Sequence, residues 1–163
     1  MEPCWITEGR RHLGLAEIPG QASNPTIQRW LRKLGAWWND DAVPWCGTYV
    51  AHCLRECSVA PPKAWYRAKA YLDWGLVLDT PRVGCIVVYE RQGGGHVGFV
   101  LGKDRDYRLL TLGGNQKDSV CISSFDRSRV IGYRWPVEAV GSVNYDPLPL
   151  VTNADVKPST SEA

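Results

Sequence analysis

The chain has 163 residues, 44% of them hydrophobic and 22% charged, enough to bury one sizeable core and too apolar for disorder throughout. A formal net charge of +2 with both signs interspersed predicts no nucleic-acid partner, and no apolar run is long enough to insert in a membrane. Six cysteines raise the question of disulfides, but Met1-Glu2-Pro3-Cys4 opens a charged segment without the apolar stretch of a signal peptide, so synthesis in a cytoplasm with reduced thiols is expected.

Trp5, Ile6, Leu13 and Leu15 stand among charged neighbours and predict an amphipathic helix, ended by the turn Glu17-Ile18-Pro19-Gly20. A second helix has Asn24 as N-cap, Pro25 at its first position and Gly35 as its stop, with Ile27, Trp30, Leu31 and Leu34 forming one buried stripe. Trp37-Trp38-Asn39-Asp40-Asp41 is a loop. Asp40, Asp41 and Pro44 break any regular element, and a third helix then runs from Cys46 to Cys57. One of its faces carries Cys46, Val50, Cys53, Leu54 and Cys57, so Cys53 and Cys57 are expected as reduced core residues and His52 as an exposed one. Pro61-Pro62 breaks the chain, and a fourth helix is expected from Ala64 to Trp74, stopped by Gly75.

Beyond Pro81 the period shortens to two. Residues 85–89, 97–101, 109–112, 119–123 and 130–135 read as short strands between glycine-rich or charged turns. Helices first and a meander afterwards predict an α+β fold, with N-terminal helices packed on an antiparallel sheet of about five strands. Residues 1–136 are expected to form the domain, and 137–163, without periodicity, a weakly ordered tail.

The stretch around Pro44-Trp45-Cys46-Gly47 carries the candidate chemistry. At a helix start, the Cys46 sulfur lies among unpaired backbone N–H groups, a setting that lowers a thiol pKa below its free value of about 8.5. His96 follows three glycines at a strand start, and Asn115 ends the next strand, so antiparallel pairing sets the two at one sheet edge. Cys46 then reads as a nucleophile, His96 as general base and acid, and Asn115 as the group that orients the imidazole. The N–H of Cys46 is positioned for an oxyanion. Gln116 rivals Asn115, and strand alternation does not decide between them. Asp41 reads either as a ligand for a substrate amine or as a turn cap, and Trp45 and Trp65 either as groove walls or as core. Without a Cys-x-x-Cys pair, and with Asn39-Asp40-Asp41 too short for a calcium loop, no metal or cofactor is expected.

In their order along the chain these pieces resemble the cysteine, histidine-dependent amidohydrolase/peptidase (CHAP) proteins of the NlpC-like papain-fold group, and within it a compact subgroup of phage endolysins. The matching words are Leu13-Gly14, Glu17-Ile18-Pro19-Gly20, Asn24-Pro25, Pro44-Trp45-Cys46, Trp74-Gly75, Gly95-His96-Val97-Gly98-Phe99, Gly113-Gly114-Asn115-Gln116 and Gly132-Tyr133-Arg134-Trp135-Pro136. The resemblance implies a papain-like fold and hydrolysis of an amide bond in peptidoglycan, with Cys46 and His96 as catalytic residues. It further implies a monomer made in a bacterial host cytoplasm and released to the wall by a holin or another export route. Two other readings are a secreted antibacterial amidase and a phage tail module that grips peptidoglycan without cutting it.

Overall fold

The computed structural model describes residues 2–20, 23–152 and 157–158. Helix α1 (Cys4–Arg10) is shorter than the sequence predicts. The chain leaves it because Gly14 N–H donates to Val120 O and Val120 N–H donates to Leu15 O, a capture by the sheet that the helix could not continue through. Helix α2 (Pro25–Leu34) has the expected ends: Asn24 Oδ1 accepts from Thr26 N–H, and Gly35 adopts a left-handed φ of 86°. Helix α3 (Cys46–Glu56) is buried from Cys46 to Leu54, because α1, α2 and the sheet all pack against it. His52, expected outside, is therefore inside, its ring stacked on Trp30 of α2 with centroids 4.6 Å apart.

The expected fourth helix is only a 3-10 segment, Ala68–Asp73. The Tyr71 hydroxyl donates to Gly47 O at 2.9 Å and lies 3.3 Å from Trp65 O, so this segment is fastened to α3 by a side chain.

The strands are β1 (Leu76–Leu78), β2 (Ile86–Arg91), β3 (Gly94–Lys103), β4 (Leu109–Gln116), β5 (Ser119–Phe125), β6 (Val130–Trp135) and β7 (Lys157–Pro158), in the order β1-β6-β2-β3-β4-β5-β7. The first six pair antiparallel and β7 joins β5 in parallel, which gives the α+β fold expected, with an extra strand at each edge. β1 escapes the sequence reading because three exposed or half-exposed residues carry no alternation; it exists by pairing with β6. β4 is buried along its whole length, the mark of a strand covered on both faces.

Cys4 and Cys57 form a disulfide with Cα atoms 5.9 Å apart, which corrects the expectation of reduced thiols at both positions. The pair joins the start of α1 to the C-cap of α3, a meeting that helical periodicity within either segment does not encode. Cys46, Cys53, Cys85 and Cys121 are free thiols.

Past β6 a 3-10 segment, Val137–Ser142, accepts the Trp135 indole N–H at Ala139 O. Residues near 150 lie along β3, where Val151 N–H donates to Lys103 O and Leu148 is buried. Residues 153–156 and 159–163 of the expected tail lie outside the described residues. Among the described residues no helix is long and apolar enough to cross a membrane.

Candidate active site

Trp45 is the N-cap residue of α3 and Cys46 its first helical residue, so the thiol stands at the helix mouth as the sequence predicts. Gly47 and Gly114 permit this placement. A Cβ on Gly47 would lie 2.3 Å from Trp65 O, and one on Gly114 would lie 2.6 Å from Tyr49 Cβ and 2.8 Å from the Trp45 ring. Both glycines let α3 approach its neighbours more closely than any side chain allows.

The thiol meets the start of β3. Val100 N–H donates to Cys85 O toward β2, so by alternation Val97 N–H points the other way, toward β4. The β3–β4 ladder runs from Phe99 and Leu112 to Lys103 and Leu109, and Val97 lies beyond it. There its N–H donates to the Cys46 sulfur. The nucleophile candidate thus sits against the residue that follows His96.

Burial pushes the Cys46 thiol up from its ordinary value, and this outweighs the lowering by Val97 N–H, the Arg91 charge and the N–H groups of Gly47 and Cys46 itself. The sequence expectation of a lowered pKa is corrected here. The helix-mouth amides act in the expected sense, but desolvation of a residue that is only 7% exposed is the larger effect.

His96 is 1% exposed, and its ring stacks on Phe125 with centroids 5.3 Å apart. Its Nε2 lies 2.9 Å from Gln116 Oε1. The Gln116 amide nitrogen donates to Cys121 O at 2.7 Å and to Thr111 O at 3.2 Å, which fixes the orientation of the amide. Oε1 therefore accepts, Nε2 carries the proton, and Nδ1 is the basic nitrogen of the neutral ring.

The residue on Nε2 is thus Gln116, while Asn115, also buried, is one step earlier in the bend. Strict alternation would put Asn115 and Gly113 on one face. A positive φ of 58° at Asn115 and a register shift between Gly113 and Gln116 re-aim the chain, and Gln116 turns toward the imidazole. A Cβ on Gly113 would lie 2.3 Å from Gln116 Oε1 and 3.4 Å from His96 Nε2, so this bond needs glycine there.

The other candidates separate. Asp41 is 2% exposed, and its Oδ2 accepts from Ile18 N–H at 3.0 Å and Asn24 N–H at 2.7 Å, so it ties loops together in the manner of a turn cap. Asp40 Oδ1 accepts from Ala42 N–H. Trp45 is core, with its indole N–H donating to Glu17. Trp65 does line a groove. It stacks on Trp38 at 5.8 Å and, with Trp37, Val43, Lys63 and Tyr66, bounds a cavity of about 630 Å³. Its carbonyl lies over Gly47, so the aromatic groove begins beside the nucleophile helix. The sequence reading misses Trp37, Trp38 and Tyr66 as groove residues; the paired aromatics at 37–38 and 65–66 are the signal that could have found them.

A thiol at a helix mouth, a buried imidazole on the adjoining strand and an amide oxygen behind it are thus brought together on an α+β scaffold. A family model for the CHAP domain matches residues 38–115, a span that contains Trp38, Cys46 and His96 and stops one residue short of Gln116. The matched residues are similar to the CHAP domain, the family that the sequence resembles. CHAP domains in general are cysteine and histidine amidases or peptidases that act on peptidoglycan. No curated protein matches the chain.

Proposed function

We propose that this protein is a peptidoglycan hydrolase of the phage endolysin type, cutting an amide bond of the wall peptide through a thioester on Cys46. The observation that carries the reading is the fixed Gln116 amide behind His96, which sets the imidazole tautomer a general base needs.

In this mechanism the Cys46 thiol passes its proton to His96 Nδ1. The thiolate attacks the amide carbonyl carbon, a C–S bond forms, and the carbonyl electrons move onto oxygen. The N–H of Cys46 belongs to the first turn of α3, whose amides lack intrahelical acceptors, and stabilises this oxyanion. Collapse breaks the C–N bond as His96 gives its proton to the departing amine. Water then attacks the thioester, with His96 as base again, and the C–S bond breaks to release the acid and restore the thiol. Because burial disfavours an isolated thiolate here, transfer to His96 rather than free ionisation generates the nucleophile.

The groove of Trp37, Trp38, Trp65 and Tyr66 suits a glycan or muropeptide laid beside the scissile bond. The Cys4–Cys57 disulfide suits work in the periplasm, outside the reducing cytoplasm. A secreted antibacterial amidase would share the chemistry and differ in its delivery. The test is incubation of purified peptidoglycan with wild type and with Cys46→Ala. Mass spectrometry should find new peptide or amine termini only with the wild type. Equal release by both, or binding without release by either, would reject the proposal.

A further inference from the structure

Away from the proposed site, among the described residues, one group of side chains has the composition and convergence of metal ligands: Glu8, His12 and His52. Glu8 is on α1, His12 is one turn further on, and His52 is on α3. Glu8 Oε1 lies 2.9 Å from His12 Nε2 and 3.2 Å from His52 Nε2, and the three ligand atoms all fall within 4.8 Å of one another. We propose that Glu8, His12 and His52 bind a zinc-class divalent ion that clamps α1 to the nucleophile helix.

The separations carry the proposal. Ligands about 2.0–2.1 Å from a tetrahedral zinc stand about 3.3 Å apart. The carboxylate oxygen already stands near that spacing from each imidazole nitrogen, and the two nitrogens lie within 4.8 Å of each other, so an ion enters with side-chain adjustments alone. Both imidazoles aim Nε2 at the same oxygen, and each becomes a ligand when its proton resides on Nδ1. Arg11 holds the other Glu8 oxygen at 3.3 Å, which leaves Oε1 directed inward.

The rings are already held in place. Trp30 stacks flat on His52 and meets His12 edge-on at 5.0 Å, so little freedom is lost on binding. The Glu8 and His12 side chains are 15% and 20% exposed, which leaves a path for the ion and room for water as a fourth ligand. Two nitrogens and one carboxylate select a borderline ion such as Zn²⁺ over Ca²⁺ or Mg²⁺, which prefer oxygen-only shells.

The test uses the full chain carrying Cys46→Ser and Cys121→Ser, so that zinc on the hydrolase thiol or on the half-buried thiol is not counted. Calorimetric titration with Zn²⁺ should give one site per chain and a higher unfolding midpoint, with Ca²⁺ giving neither. Glu8→Gln and His12→Asn should each weaken Zn²⁺ binding at least tenfold. Since either variant could disturb folding, the ¹⁵N resonances of the His12 and His52 rings are followed in the Cys46→Ser, Cys121→Ser protein itself. Zn²⁺ should shift both sets and leave those of His96 in place. Absence of saturable binding, binding unchanged in both ligand variants, or shifts at His96 alone would overturn the proposal. None of these outcomes depends on whether the protein hydrolyses peptidoglycan.

Discussion

Two imidazole sites in this molecule differ chiefly in what faces Nε2. At His96 it is the neutral amide oxygen of Gln116 at 2.9 Å, and at His12 and His52 it is the carboxylate of Glu8 at 2.9 and 3.2 Å. An amide orients the ring and selects a tautomer without adding charge, so the imidazole can take up and release a proton. A carboxylate favours a positive partner, whether imidazolium or metal ion. Under the two proposals, nearly the same distance would serve turnover in one place and retention in the other.

The largest effect expected of any substitution tests which site does chemistry. Cys46→Ala and His96→Ala should each lower kcat/KM by about 10⁴-fold or more, measured by release of wall peptides. Turnover surviving in both would move the reaction away from the amide-backed histidine and break the comparison.

The helical face should instead show its importance in stability. Cys4→Ser with Cys57→Ser opens a link across a sequence separation of 53, for which chain entropy gives about 4 kcal/mol. Denaturant unfolding should read a loss of that order, with far less change in kcat at low temperature. A fall in kcat comparable to that of Cys46→Ala would show that the two regions are not separable.

A smaller effect sharpens the amide side. Gln116→Ala should cost about 10²-fold in kcat, at the lower end of what acid–base residues supply. Gly113→Ala should approach the same loss, because its Cβ would displace Gln116 Oε1. Asn115→Gly, which keeps the left-handed backbone, should retain most of the activity. Gln116→Glu should recover part of the rate and move the acid limb of the pH–rate profile upward, since a carboxylate holds the imidazolium proton to higher pH. An unmoved acid limb would mean that Gln116 only fills space.

Cys46 at its helix mouth, His96 on the adjoining strand and the α+β class were legible because each depends on local signals: a break before Cys46, glycines before His96, and a change of period after Pro81. Gln116 against Asn115 was not, because a bulge in β4 resets the alternation on which sequence reading relies. The Glu8, His12 and His52 group was half visible as Glu-x-x-x-His at helical spacing, but His52 joins it from 44 residues away. The Cys4–Cys57 bridge was hidden in the same way. Pairings set by tertiary packing leave no period in either segment.

The smallest expected effect concerns how the nucleophile ionises. Burial raises the Cys46 pKa, so at a given pH an isolated thiol there holds less thiolate than an ordinary cysteine. In His96→Ala, alkylation of Cys46 by iodoacetamide should therefore climb with pH toward a midpoint above that of a free thiol. In the wild type the proton has His96 to go to, and reactivity should persist to lower pH. Peptide mapping separates Cys46 from Cys121, and Cys85, fully buried with its thiol pushed up to about 12, should stay unmodified near neutrality as an internal reference. The same direction has a sign in stability: a folded pKa above the unfolded one stabilises below the unfolded value and is lost as pH rises through the folded one. Identical pH profiles in wild type and His96→Ala would mean that the imidazole does not accept the thiol proton, and the distinction between an amide-backed base and a carboxylate-backed ligand would lose its catalytic half.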